Sequence, residues 1–132
     1  MTRFLFDTSA FIDYLNHNDP DAIAYIEAVI DGSETGCCSV ITEAELWAGI
    51  RNEREDLRVT TLVSKFEGIS LTSSMARLAG NLLSSRSEGE KRAHFGDALI
   101  AATALEHGEI IFTADRISER VFGHRATYLV YR

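Results

Sequence analysis

Arg3-Phe4-Leu5-Phe6-Asp7-Thr8-Ser9-Ala10-Phe11-Ile12-Asp13-Tyr14-Leu15 is the stretch on which the fold turns. Arg3 to Phe6 is a short apolar run of the length of a buried strand. From Thr8 the pattern changes, because Phe11, Ile12 and Leu15 recur at helical spacing and predict a helix over Thr8 to Leu15. A strand passing straight into a helix is the opening half of a βαβ unit. One acid, Asp7, stands at the junction.

The rest of the chain repeats this alternation. Asp19-Pro20 starts a helix with Pro in its first turn, running from Asp21 to about Ile30 and closed by Asp31-Gly32. Gly36 to Val40 reads as a second strand, followed by helices over Thr42 to Arg51 and Glu53 to Phe66. Ile69-Ser70-Leu71 reads as a short strand and Ser73 to about Ser85 as a helix. Ser84 to Arg92 is polar with Gly89 and no apolar residue, so an exposed loop or frayed helix end is expected. Asp97 to Glu106 is nearly all Ala, Leu and Ile. A helix apolar all round is a buried one, and Gly108 caps it. Ile110 to Phe112 and Tyr128 to Tyr131 supply the last strands. Alternating strands and helices give an α/β fold with a mostly parallel central sheet wrapped by helices.

At 132 residues, one domain over 1–132 is expected, with enough chain to bury a core. No Gly/Ser linker or repeat divides it, and Pro20 is the only proline. No apolar stretch is long enough to span a membrane, and Asp7 interrupts the first apolar run too early for a signal peptide. Cys37 and Cys38 are neighbours and close no useful loop, so they read as reduced core residues of a cytoplasmic protein. The net charge of −7 counts against a plain basic nucleic-acid binder. It says little about one cleft, where bound cations would offset acids locally.

Four acids follow apolar runs that read as strands: Asp7 after Arg3 to Phe6, Glu45 after Gly36 to Val40, Asp97 after Ala93-His94-Phe95-Gly96, and Asp115 after Ile110-Ile111-Phe112-Thr113. The third run is the weakest and reads equally as helix. Ligands of open α/β sheets bind at the carboxyl ends of the strands. Two carboxylates ~4 Å apart repel by roughly 4 kcal/mol at an effective dielectric near 20, so four together need protons or a divalent cation. Each acid also has a plain structural reading. Asp7 and Asp115 suit helix N-caps. Thr42 and Glu45 form a capping box. Asp97 suits the first turn of a helix, with Arg92 as a candidate partner. Glu43 competes with Glu45, and the two lie about 200° apart on a helix. Glu45 is on the side of the small residues Ala48 and Gly49, Glu43 nearer the stripe of Leu46, Trp47 and Ile50.

These segments resemble the PIN-domain ribonucleases, most of all the VapC-type toxins of toxin–antitoxin pairs. Phe6-Asp7-Thr8-Ser9-Ala10-Phe11 is similar to the family's first-strand signature. Ser39-Val40-Ile41-Thr42-Glu43-Ala44-Glu45-Leu46-Trp47-Ala48-Gly49 matches its second motif and selects Glu45, whose place directly before a leucine is the family's. Asp97-Ala98-Leu99-Ile100-Ala101-Ala102-Thr103-Ala104 is the most specific match. Thr113-Ala114-Asp115 matches the last, with Ala114 where the family often has asparagine. The resemblance implies a metal-dependent endoribonuclease in which Asp7, Glu45, Asp97 and Asp115 hold one or two Mg²⁺ or Mn²⁺ ions. It also implies Thr8, Ser9 and Thr113 as supporting hydrogen-bond donors, RNA as substrate, and inhibition by a cognate antitoxin. It further implies a homodimer. A groove between the helices Asp21–Ile30 and Glu53–Phe66 would seat an apolar antitoxin segment. Trp47, Leu62 and Phe66 serve an interface or the core. Arg51, Arg54, Lys91, Arg92 and Arg116 are near the acids in sequence. Of these, Arg51, Arg92 and Arg116 are the candidates for RNA phosphate contacts, and solvated helix faces are the plain alternative. His94 is not needed for the chemistry.

Two rivals remain. A haloacid-dehalogenase-type phosphatase needs a second aspartate two residues after the first, and Ser9 is there. A catalytically inert PIN-like RNA- or protein-binding module needs no acids, and all four are present.

Overall fold

The computed structural model describes residues 3–132, so the first two residues of the expected domain lie outside it. Five strands form one all-parallel sheet in the order β3-β2-β1-β4-β5. They are β1 (Phe4–Phe6), β2 (Gly36–Ser39), β3 (Glu67–Ile69), β4 (Ile110–Thr113) and β5 (Thr127–Val130). Eight helices connect them: α1 (Thr8–Leu15), α2 (Pro20–Ile30), α3 (Val40–Ala48), α4 (Glu53–Val63), α5 (Ser73–Leu83), α6 (Glu88–Ala93), α7 (Phe95–His107) and α8 (Arg116–Phe122). The chain builds outward from β1 to β2 and β3, then crosses to β4 and β5. The order therefore reverses between β1 and β4, and the crevice at such a reversal is where open α/β sheets take ligands.

Side chains alternate across a strand, which divides the core in two. Leu5, Cys37 and Ile111 face α5, α7 and α8, while Phe6, Cys38 and Phe112 face α1, α2 and α4. Both cysteines are free and fully buried, and burial raises the pKa of each thiol, that of Cys38 to about 12. The second half-core is aromatic: Phe66 meets Phe6 and Phe11 edge-on at 5.2 and 4.8 Å between ring centres. Gly36 allows this packing, because a Cβ there would come within 2.9 Å of Val29 and 3.0 Å of the Phe6 and Phe66 rings. Gly108, at φ 65°, ends α7 in the left-handed region that favours glycine. No helix among the described residues is long and apolar enough to cross a membrane.

Several boundaries differ from the sequence reading. β3 lies at Glu67–Ile69, not at Ile69–Leu71, because its register against Cys37 to Ser39 is set by pairing, and Ser70 and Leu71 stay exposed. Residues 84–92 are not a loop throughout. Ser87 caps α6 through the Glu90 amide at 3.2 Å, and Arg86–Glu90 and Lys91–Glu88 pairs at 3.1 and 3.2 Å support it. Charge spacing, not an apolar face, makes this helix. The run Ala93 to Gly96 is no strand, since α6 passes almost directly into α7. α3 begins two residues earlier than expected. Its cap is Ser39, whose hydroxyl accepts from the Ile41 amide at 3.1 Å. Thr42 is then inside the helix and fully buried, so the Thr42–Glu45 capping box does not form.

Candidate active site

Asp7 leaves the carboxyl end of β1 as the N-cap of α1, accepting from the Ala10 amide at 3.4 Å. The same carboxylate accepts from the Ser9 hydroxyl at 2.6 Å and from the Thr113 hydroxyl at 2.5 Å. Ser9 and Thr113 are themselves 3.2 Å apart, and the Ala114 and Asp115 amides donate to them at 3.0 and 2.9 Å. This net closes the crevice between β1 and β4. Asp115 leaves β4 as the N-cap of α8, accepting from the Ile117 and Ser118 amides at 2.9 and 3.1 Å. Its second oxygen accepts from the Ser118 hydroxyl at 2.8 Å. Cap and site are therefore compatible roles. The same geometry that seats the acid on a helix N-terminus puts it at the end of the sheet.

Glu45, freed from the capping box, accepts from the Thr8 hydroxyl at 2.5 Å. Thr8 also lies 3.5 Å from the Thr42 hydroxyl. A Cβ on Gly96 would sit 3.6 Å from Glu45 Oε2, which puts this carboxylate over the start of α7. Glu43 turns instead toward β3, its Oε1 3.8 Å from where a Gly68 Cβ would be. Asp97 is in the first turn of α7, with His94 Nδ1 3.8 Å away. His94 caps nothing with its side chain and stands edge-on to Phe122. Arg92 does not pair with Asp97.

Electrostatics link the four acids. Burial lifts the Asp7 pKa from 3.8 to about 6, against the pull of the Ser9 and Thr113 hydrogen bonds, with Asp97 adding repulsion. The Asp97 pKa is raised first by burial, then by the charges of Asp115 and Glu45, while the nearby Ser118 hydroxyl and His94 oppose the rise. None of the four meets a lysine or arginine in the ion pairs among the described residues. Yet, among the described residues, no three His, Cys, Asp or Glu side chains are close enough to hold a metal ion as they stand. The donor set is all oxygen and lacks a counter-charge. That suits a hard divalent cation such as Mg²⁺ or Mn²⁺, which keeps part of its water shell and needs few protein ligands.

Around the acids, Arg51, Arg92 and Arg116 are exposed. Arg51 pairs with Glu55 at 2.8 Å, whereas Arg92 and Arg116 enter no ion pair among the described residues. A groove of about 370 Å³ opens from Glu45 between α1, α3 and α4, and Arg58 lies on its wall with Arg51. Arg58 was not singled out in the sequence. A second groove of about 370 Å³, with Tyr14, Ile30, Leu57 and Leu62 on its walls, runs between α4 and the ends of α1 and α2. Leu62 and Phe66 belong to the core and Trp47 is 37% exposed. Ser118, a serine inside a helix, bonds Asp115 and carries no local signal of that role in the sequence.

The PIN domain family model matches residues 4–122. No curated protein sequence matches. Among solved structures, the chain is similar to the Rickettsia felis VapBC2 complex bound to a DNA fragment from its promoter, with TM-score 0.71 and 16% identity over 97% of this chain and 98% of that one. A toxin–antitoxin complex from Klebsiella pneumoniae gives TM-score 0.71 and 23% identity over 98% and 96%. FitAcB from Neisseria gonorrhoeae gives 0.67 and 20% over 98% and 99%. At these identities the structures speak for the fold. The family match spans most of the chain: this protein belongs to the PIN domain family.

Proposed function

We propose that this protein is a VapC-type toxin, a Mg²⁺- or Mn²⁺-dependent endoribonuclease that hydrolyses phosphodiester bonds of RNA and is held inactive by a cognate antitoxin. The observation that carries the reading is that the charges of Asp7, Glu45, Asp97 and Asp115, brought from distant parts of the chain, bear on one another with no basic partner among the described residues, although no three of them yet stand close enough to hold an ion. Asp7 is buried, and buried charge without a counter-charge is costly; a cation-binding role explains why it is there. Structural likeness to toxin–antitoxin complexes supports the toxin reading.

In this reading the four carboxylates hold the cation. Bound there, it would acidify the attacking water and offset charge building on the phosphate. Thr8 fixes Glu45, and Ser9 and Thr113 fix Asp7, each by a hydrogen bond to the ionised oxygen. Such support keeps carboxylates in place when a ligand binds. Exposed Arg92 and Arg116 contact the RNA backbone, and Arg51 joins them from the groove beside Glu45. The groove of Tyr14, Ile30, Leu57 and Leu62 is apolar enough for a helix or strand of an antitoxin. The chain works as a homodimer in the cytoplasm, as one domain.

The test is cleavage of total RNA by purified protein with Mg²⁺ or Mn²⁺, with EDTA, and with Asp7→Asn and Asp97→Asn variants. Discrete fragments that require cation and both aspartates are expected. Cleavage that persists in EDTA or in both variants would sink the proposal. A folded, cation-loaded protein that cuts nothing would favour an inert PIN-like module.

A further inference from the structure

Tyr128 is in the middle of β5, paired in register with Ile111. Its ring therefore lies on the face covered by α7 and α8, packed against that half of the core. Its hydroxyl is buried and has no hydrogen-bond partner among the described residues. Buried tyrosine hydroxyls usually find one. A phenylalanine would fill the same space without leaving a polar atom unpaired, so packing alone does not account for the oxygen. The charges that bear on this phenol are, in decreasing order, those of Asp97, Asp7, Asp115 and Glu119. Three of these are the acids assigned above to cation binding. A phenol donates one hydrogen bond, and a carboxylate only accepts.

We infer that the Tyr128 hydroxyl is a positioning donor for Asp97, unpaired while the acids stand apart and engaged when a divalent cation draws them together. The inference rests on the metal-nuclease reading and adds a residue to it. A buried donor without a partner, in the field of mutually repelling acceptors, is an arrangement that a ligand completes. Once the cation offsets the charge, Asp97 no longer has to stand clear of Glu45 and Asp115. The hydroxyl then gains its partner and holds the carboxylate in its loaded orientation. Partners of this kind, one step behind the ligands, tune cation affinity strongly.

The experiment compares wild-type protein with Tyr128→Phe and Asp97→Asn, reading Mn²⁺ binding by the loss of the free-ion EPR signal and thermal unfolding in EDTA. Expected for Tyr128→Phe are unfolding in EDTA at the wild-type temperature or above, and Mn²⁺ dissociation constants raised about tenfold. Protein carrying ¹³Cζ-tyrosine gives a second readout. The resonance missing from Tyr128→Phe should move when Mg²⁺ saturates the wild-type protein. Equal Mn²⁺ affinity in wild type and Tyr128→Phe overturns the inference and leaves the metal reading intact, as does a Tyr128 resonance indifferent to Mg²⁺. A lower unfolding temperature for Tyr128→Phe in EDTA also overturns it, since the hydroxyl would then have a partner at rest. Wild-type protein that binds no Mn²⁺, or binds it equally well in Asp97→Asn, removes the metal reading itself.

Discussion

Two pairs of acids, three of the four residues buried, are treated in opposite ways by this molecule. Asp13 and Glu109 are each 5% exposed, and both meet arginine. Asp13 accepts from the Tyr131 hydroxyl at 2.6 Å and from the Arg132 guanidinium. Glu109 accepts from Arg3 at 2.7 Å and lies 2.8 Å from the Cys37 thiol. Among the described residues, Asp7, 8% exposed, meets only hydroxyls and one amide, and Asp97, half-buried, meets no arginine or lysine. Burial is common to Asp7, Asp13 and Glu109, so burial does not mark a site. The counter-charge is what differs. Where the fold needs an acid for its own sake it supplies the cation from the chain. At the β1–β4 crevice it leaves the cation out.

The largest expected effect separates the two pairs by activity. Asp97→Asn should lower RNA cleavage by about a thousandfold or more, near 4 kcal/mol in the barrier, with the chain still folded. Asp13→Asn should leave cleavage within about tenfold, a barrier change near 1.4 kcal/mol. Single-turnover cleavage beside a thermal melt of each variant gives the answer, and an Asp13→Asn protein that is folded but as inactive as Asp97→Asn breaks the comparison.

Next comes stability at the other pair. Arg3→Ala leaves Glu109 buried without its cation, and breaking such a pair costs about 3 kcal/mol or somewhat more. Arg3 is partly exposed, so solvent screening holds the loss to the lower end, and its second pair, with the exposed Glu67, adds little. Urea denaturation should show a lower midpoint with an unchanged slope. Cation affinity at the crevice should not move.

The pH dependence of the cation-free protein tests the other side. Burial lifts the Asp7 pKa from 3.8 to about 6. Between those values the folded chain holds a proton that the unfolded chain has released. Stability therefore falls as pH rises through this window, and the penalty is complete above about pH 6, on the order of 2–3 kcal/mol. Asp97 is raised as well and acts in the same direction. Denaturation in EDTA at pH 5 and pH 7.5 should find the protein more stable at the lower value. Asp7→Asn should flatten that difference, and Mg²⁺ at pH 7.5 should offset it. A slope of the opposite sign would mean that Asp7 is compensated after all.

Much of this was legible before any coordinates. The strand–helix alternation specified a parallel sheet covered on both faces, and the burial of consecutive residues at Leu5-Phe6 and Ile111-Phe112 follows from it. Strand order was not legible, because periodicity does not say which strands pair. α6 was missed because its support is charged pairs and a serine cap, which look like solvent-exposed loop. The four acids stood out in the sequence as candidates, and for Asp7 and Asp115 cap and candidate ligand are not alternatives, since each is a helix cap at the carboxyl end of its strand. Glu45 turned on one detail. Had Thr42 been the cap, as its spacing suggests, Glu45 would reach back to its own helix. The β2 strand ends early enough for Ser39 to cap instead, a consequence of sheet pairing that no local pattern records.

That detail supplies the smallest and most selective test. Thr8 donates to Glu45 at 2.5 Å across two segments, whereas Thr60 donates to Asp56 at 3.0 Å within the exposed turn of α4. Both are threonine–carboxylate bonds with an exposed partner. Only the first holds an acid that lacks a cation and faces the crevice. Thr8→Val removes the hydroxyl and keeps the shape, so Glu45 stays charged but loses its fixed orientation. The expected cost is about tenfold in cation affinity or in cleavage, near 1.4 kcal/mol. Thr60→Val should change neither by more than the scatter of the assay, because an exposed hydroxyl on a solvated helix has water as an equal partner. Equal effects from the two variants would mean that Thr8 serves only to tie α1 to α3. An effect confined to Thr8→Val, with an unchanged melt, would show that what the crevice lacks in charge it makes up in oriented hydroxyls.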